Sequence, residues 1–172
     1  MNRVYVGVAA LAALCACVPA RAQNEDHITR EVRHELVMLP YYGVFDNLEF
    51  RVQGGTVTLM GQVTKPTLKS DAGNVVKKIE GVEKVDNQIQ VLPLSPNDDR
   101  LRMAEYRTIY GDPALNRYAL QVVAPIHIIV NNGKVDLEGV VATQGDKDIA
   151  GVRANSVSGV FGVTNNLRVE GK

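Results

Sequence analysis

The 172-residue chain is notable first for what it has little of. Neither charge predominates: 19 Lys and Arg face 19 Asp and Glu, and the formal net charge is zero. That balance excludes a polycationic nucleic-acid binder. Tryptophan is absent and aromatics make up only 5% of residues. Histidine is scarce, at His27, His34 and His127. His27 and His34 share a helix face, but no carboxylate or cysteine adds a clear third ligand, so they read as a solvated pair and not as a metal site. His127 alternates outward in a strand. No G-x-S-x-G, H-E-x-x-H or P-loop is present. The sequence therefore argues against an enzyme and calls for no cofactor.

Long hydrophobic runs are also lacking. The stretch Val4 to Val18 is about 15 residues, short of the roughly 20 that span a bilayer. Arg3 precedes it and Ala20-Arg21-Ala22 follows it, so residues 1–22 read as a secretory signal peptide. Both cysteines, Cys15 and Cys17, lie inside it. Two readings stand. Cleavage after Ala22 leaves an exported chain with no cysteine and no disulfide. Alternatively, Leu14-Cys15-Ala16-Cys17 resembles a bacterial lipobox, and lipidation of Cys17 would anchor the protein to a membrane.

What the chain does have is a repeat. Gly55 to Val91 aligns without a gap to Gly133 to Val169, with 13 of 37 positions identical. The matches include Gly55/Gly133, Gly61/Gly139, Gly81/Gly159, Ala72-Gly73/Ala150-Gly151, Lys69/Lys147 and Asn87/Asn165. A repeat of this kind implies two similar modules. Their bounds are 23–93 and 94–172.

In the first module, Ile28, Val32, Leu36 and Leu39 form one helical stripe that stops before Pro40. Leu48, Phe50 and Val52 alternate in a strand. Gly54-Gly55 is the hairpin turn, and Val57, Leu59, Gly61 and Val63 continue on the return strand. Gly61 marks a bulge or a close backbone approach. Leu68, Ala72, Val75, Val76 and Ile79 form a second helix, with Gly81 placed as its left-handed cap. Val85, Ile89 and Val91 form a last strand. Gly73 points to close helix-to-sheet packing, and Asn87 to a bond with backbone in the turn after the helix. The fold class is α+β, as two tandem αββαβ modules.

Leu92 to Pro96, with two prolines, is a stiff joint. Ser95 caps the next helix and Asp98 completes a capping-box-like pattern. This helix runs from Pro96 to Tyr110, with Leu101, Ala104, Thr108 and Ile109 toward the core. Arg100, Met103, Arg107 and Tyr110, with Tyr106 close by, form another face. Its arginines suit phosphate, while Met and Tyr can enter an interface. Tyr118 to Ala124 is apolar and is expected to lengthen the strand Ile126-Ile128-Val130. Asp146 and Asp148 open the next helix as stabilising acids.

The pattern G-x-V-x-L-x-G-x-V, a helix, then G-V-x-x-V-x-N-x-(I/L)-x-V resembles the BON domain. It occurs at Gly55–Val63 with Gly81–Val91 and again at Gly133–Val141 with Gly159–Val169. The resemblance implies a three-stranded mixed sheet with two helices on one face, a Gram-negative envelope location and no enzymatic activity. It also implies two kinds of role. One is binding of anionic phospholipid through the leading helix of the second module, here at Arg100, Met103, Tyr106, Arg107 and Tyr110, in support of the outer membrane under osmotic stress. The other is a soluble holdase-type chaperone. An adaptor in an envelope protein assembly stands as a third reading beside these two.

Overall fold

The computed structural model describes residues 20–121 and 123–171. All of the expected signal peptide except Ala20 to Ala22, and with it Cys17, lies outside them. The first module runs α1 (Ala20–Val37), β1 (Asn47–Gln53), β2 (Thr56–Val63), α2 (Pro66–Val76), β3 (Lys84–Asn87) and β4 (Gln90–Val91). The second runs α3 (Pro96–Tyr110), α4 (Asn116–Ala119), β5 (Ile126–Asn131), β6 (Lys134–Val141), α5 (Gln144–Asn155), β7 (Gly162–Asn165) and β8 (Arg168–Val169). Each module holds a mixed sheet. The hairpin strand β2 or β6 lies in the middle, antiparallel to β1 or β5 and parallel to the last strand.

Two separate cores follow from the two apolar periodicities. In the first, Ile28, Val32 and Leu36 of α1 meet Val57, Leu59 and Val63 of β2 and Leu68, Ala72 and Val76 of α2. In the second, Leu101 and Ile109 of α3 meet Ile126, Ile128 and Val130, Val135 and Leu137, and Ala150 and Ala154. Each helix buries one apolar stripe in these cores, and this packing, rather than propensity, supplies most of its stability.

The identical residues of the repeat act as local devices. The Asn87 side-chain amide donates to the Lys69 carbonyl at 2.8 Å, and its oxygen accepts from the Ile89 amide at 3.3 Å. Asn165 does the same with Lys147 and Leu167. The asparagine therefore ties the helix to the last strand, rather than bonding the turn after the helix. Gly73 and Gly151 make room for it, since a Cβ on either would stand 2.8 Å from the amide nitrogen. Gly61 and Gly139 have φ of +105° and +118°. A Cβ there would lie 2.2 Å from the Asn47 carbonyl oxygen or 2.0 Å from that of Pro125. They are the close approaches that the sequence suggested.

Other expectations need correction. The helices end at Val76 and Asn155, so Gly81 and Gly159 do not cap them. These glycines close the irregular turns that follow, at φ +87° and +95°. The last strand is broken in each module: Gln88 N–H bonds Leu59 O, Ile89 turns into the core, and pairing resumes at Gln90. Tyr118 to Ala124 does not extend β5. It begins in the short helix α4, whose buried Tyr118 hydroxyl donates to Asp146 at 2.9 Å and accepts from the Ala142 amide at 2.8 Å. Asp146 also forms a complete capping box with Thr143. Burial opposes its charge, but the bonds from Thr143 and Tyr118 and the nearby Arg117 hold its carboxyl below the usual range.

Candidate functional site

Helix α3 is built as expected at its ends. Ser95 Oγ accepts from the Asp98 amide at 3.2 Å, Pro96 opens the first turn, and Gly111 follows the last. The capping box is only half formed, because the Asp98 carboxylate is used elsewhere. It accepts from the amides of Asn132 and Gly133, each at 2.9 Å, and so binds the β5–β6 turn. Glu25 of α1 accepts from the Gly54 amide at 2.6 Å in the first module. The two leading helices are therefore matched through Glu25 and Asp98.

The outward face of α3 carries Arg100, Met103 and Arg107, all exposed, and Tyr106 at the margin of exposure. Arg100 Nη2 donates to Asn97 Oδ1 at 2.8 Å. Among the described residues neither Arg100 nor Arg107 has a carboxylate within ion-pairing distance. The paired arginines there are Arg102, Arg117 and Arg153. Tyr110 does not share this face. It is 6% exposed, and its hydroxyl donates to the Ile126 carbonyl at 2.5 Å. Burial pushes its pKa up. The last turn of α3 leans onto the start of β5, which turns Tyr110 inward.

The inward side of α3 holds two residues that the sequence reading missed, Arg102 and Glu105. From Arg102 to Tyr110 is about 12 Å of helix, and from Val130 back to Ile126 is about 13 Å of strand. The helix thus lies along β5, running opposite to it. Arg102 Nη2 donates to Val130 O at 2.7 Å, as Tyr110 does to Ile126 O. Between them the Ile128 amide donates to Val44 O at 2.8 Å. The outer edge of β5 is closed by these three contacts. Glu105 stands between Arg102 and Tyr110 at 0% exposure, and neither carboxylate oxygen has a partner. Burial raises its pKa from 4.5 to about 8.

Val44 belongs to a segment of the first module that clasps the second. The Asp46 carboxylate holds the turn, accepting from the Thr64 amide at 2.7 Å, the Thr64 hydroxyl at 2.9 Å and the Gly43 amide at 3.2 Å. Tyr42 stacks on His127 with ring centroids 5.4 Å apart. On the helix side Phe45 meets Tyr106 edge-on at 6.3 Å. His127 is only 8% exposed, contrary to the solvent-facing place expected for it. Its strand does alternate outward, but a segment 84 and 85 residues earlier covers that face. Nδ1 lies 3.3 Å from the Gly43 carbonyl and Nε2 3.3 Å from the Tyr42 hydroxyl. A carbonyl only accepts, which assigns the proton to Nδ1 and leaves Nε2 to accept from Tyr42. Burial lowers the His127 pKa, and burial raises that of Tyr42 to about 12.

His27 faces an open groove between α1 and α2 beside Glu31, Glu35 and Glu80. Among the described residues no three His, Cys, Asp or Glu are grouped to hold a metal. No helix there is long and apolar enough to cross a membrane.

No curated protein matches the chain. Solved structures similar to it include two of CdsD. The C-terminal domain of CdsD, the structural protein of the Type III secretion system of Chlamydia trachomatis, is 15% identical, over 81% of this chain and 96% of that one, with a TM-score of 0.29. A second CdsD structure is 12% identical, over 81% and 90%, with the same TM-score. Likeness at this level says nothing about function. A family model, described as the BON domain, matches residues 24–93 and 114–171. The second match begins after α3. With both copies of the repeat matched, the chain belongs to the BON domain family.

Proposed function

We propose that this is a non-enzymatic protein of the bacterial envelope, exported by its signal peptide, that lies on anionic phospholipid through the outward face of α3. The observation that carries the reading is a pair of arginines, Arg100 and Arg107, that have no carboxylate partner among the described residues and flank Met103 on one exposed helix face. A guanidinium suits phosphate oxygens. The methionine beside it supplies apolar surface for the interface. Tyr106 is partly exposed and adds its ring at the edge, while Tyr110 serves the fold. A role in outer-membrane integrity under osmotic stress accords with this placement.

Flotation with vesicles of anionic phospholipid tests the reading. The protein is expected to float with them and to stay behind with zwitterionic vesicles. Arg100→Glu with Arg107→Glu abolishes flotation if this face is the contact. Retained flotation rejects it. Mass spectrometry of the exported protein separates a chain beginning at Gln23 from one beginning at diacylated Cys17.

A further inference from the structure

The edge of β5 is closed, but the same edge of the first module is not. Carrying the offset of the repeat back past Gly55 places Leu48, Phe50 and Val52 where Ile126, Ile128 and Val130 stand. The register agrees, since Phe50 faces Leu59 as Ile128 faces Leu137. In β5 the Ile128 amide and the carbonyls of Ile126 and Val130 point away from β6. The corresponding groups of β1 therefore point away from β2.

What satisfies β5 has no counterpart on β1. Counting on from the matched acids Glu25 and Asp98, Thr29 takes the place of Arg102 and Val37 the place of Tyr110. Neither makes a hydrogen bond to β1 like those from Arg102 and Tyr110. The Tyr42 hydroxyl lies by the Leu48 amide at the strand's beginning. Beyond it, among the described residues, no chain segment meets Phe50 or Val52 as Val44 meets Ile128, and β1 pairs with β2 alone. Exposure follows: β5 is buried from Ile126 to Val130, whereas every residue of β1 is half-buried or exposed.

We propose that the outer edge of β1 is a docking site for an extended segment of another polypeptide, which joins the sheet as an added strand. The edge selects that conformation. Its outward amides and carbonyls recur about every 6.8 Å along the strand, a spacing that only extended chain repeats. It selects side chains too. Leu48, Phe50 and Val52 are half-buried on the core side and Glu49 and Arg51 exposed on the other. An occupant with apolar residues at alternate positions extends the core, and polar ones between them face Glu49 and Arg51. Unpaired edges of this length are commonly blocked in proteins. Among the described residues, contacts of this kind block the edge of β5 and not that of β1.

The test uses the full chain and a fluorescent synthetic peptide in which Val alternates with Thr and Lys. Anisotropy is expected to report saturable binding, with slowed hydrogen exchange at Phe50 and Val52. Thr29→Arg with Val37→Tyr copies the β5 closure onto β1 and is expected to weaken binding at least about tenfold. Val52→Pro removes an outward amide at an edge position that tolerates proline and is expected to do the same. Vesicle flotation stays unchanged in both, which separates this site from the α3 face. Absence of peptide binding overturns the proposal. So does binding that both variants retain, protection confined to residues away from β1, or a dimer that protects Phe50 without peptide.

Discussion

Glu105 occupies in the second module the place that Val32 holds in the first. Both are wholly buried in the stripe that α3 and α1 turn toward their sheets. Val32 completes an apolar core, while Glu105 brings in a carboxyl group whose oxygens bond to nothing. An unpaired buried polar group costs about 1–3 kcal/mol, more if charged.

The sign of its pH dependence follows from burial. The folded pKa of about 8 lies above the ordinary 4.5, so the folded state keeps a proton that the unfolded chain releases. Stability is therefore highest below pH 4.5 as far as Glu105 is concerned. It falls as pH rises toward 8, by up to about 1.4 kcal/mol per pH unit. Urea denaturation of Glu105→Val is expected to show this slope removed and stability at neutral pH raised by about 2 kcal/mol. An unchanged slope would mean that Glu105 finds a partner.

His127 acts in the opposite direction. Burial depresses its pKa below 6.5, so its contribution is full above pH 6.5 and is lost as pH falls through the folded value. Protonation puts a second N–H at Nε2, where Tyr42 now donates. The clasp from Tyr42 to Phe45 is expected to loosen in acid. Hydrogen exchange at the Ile128 amide, corrected for intrinsic rate, checks this: protection falls in the native protein as the pH is lowered beneath the ordinary histidine range. In His127→Phe, which keeps the stacking but does not titrate, the fall is absent.

Much of the fold could be read from the chain, and what could not has a common cause. The repeat, the hairpin turns, the start of α3 at Ser95 and Pro96 and the spacing of both cores depend on near neighbours, which a sequence displays. Arg102 and Glu105 have the residue types of a solvated face, and only the strand 28 residues beyond Arg102 makes that face an inside. His127 is covered by a segment from the other module. The apolar run after Tyr118 imitates a strand because α4 is too short to show a helical period. Tyr110 keeps helical step with Met103 yet is drawn to Ile126 by its hydroxyl. That Arg100, Met103 and Arg107 share one exposed helix face was legible from their spacing. The closed and open sheet edges were not, since they arise from comparing two folded copies.

Two shared glycines are strict positions, whereas Gly162, which stands opposite Lys84 in the repeat, is a lenient one. Gly61→Ala and Gly139→Ala each drive a Cβ into a backbone carbonyl oxygen at a positive φ. Each is expected to cost more than about 3 kcal/mol. Gly162→Ala meets nothing within 4 Å and is expected to leave the melting temperature within a few degrees of the native one. Thermal denaturation of the three variants distinguishes them.

Asp98→Ala removes the acceptor of the Asn132 and Gly133 amides. Leaving buried amides unpaired is expected to cost about 2 kcal/mol. Hydrogen exchange should locate the loss at the β5–β6 turn, with the first module's protection unchanged.

The claim that function lies in α3, where the two copies diverge, is tested most directly by one labelling measurement. A chain beginning at Gln23 has no other cysteine. An environment-sensitive fluorophore is placed at Met103→Cys on α3 or, in a second sample, at Arg30→Cys, the matching place on α1. On addition of anionic vesicles, the label at residue 103 is expected to shift to the blue and the label at residue 30 to stay as in water. Equal shifts at both, or a shift at residue 30 alone, would contradict the account.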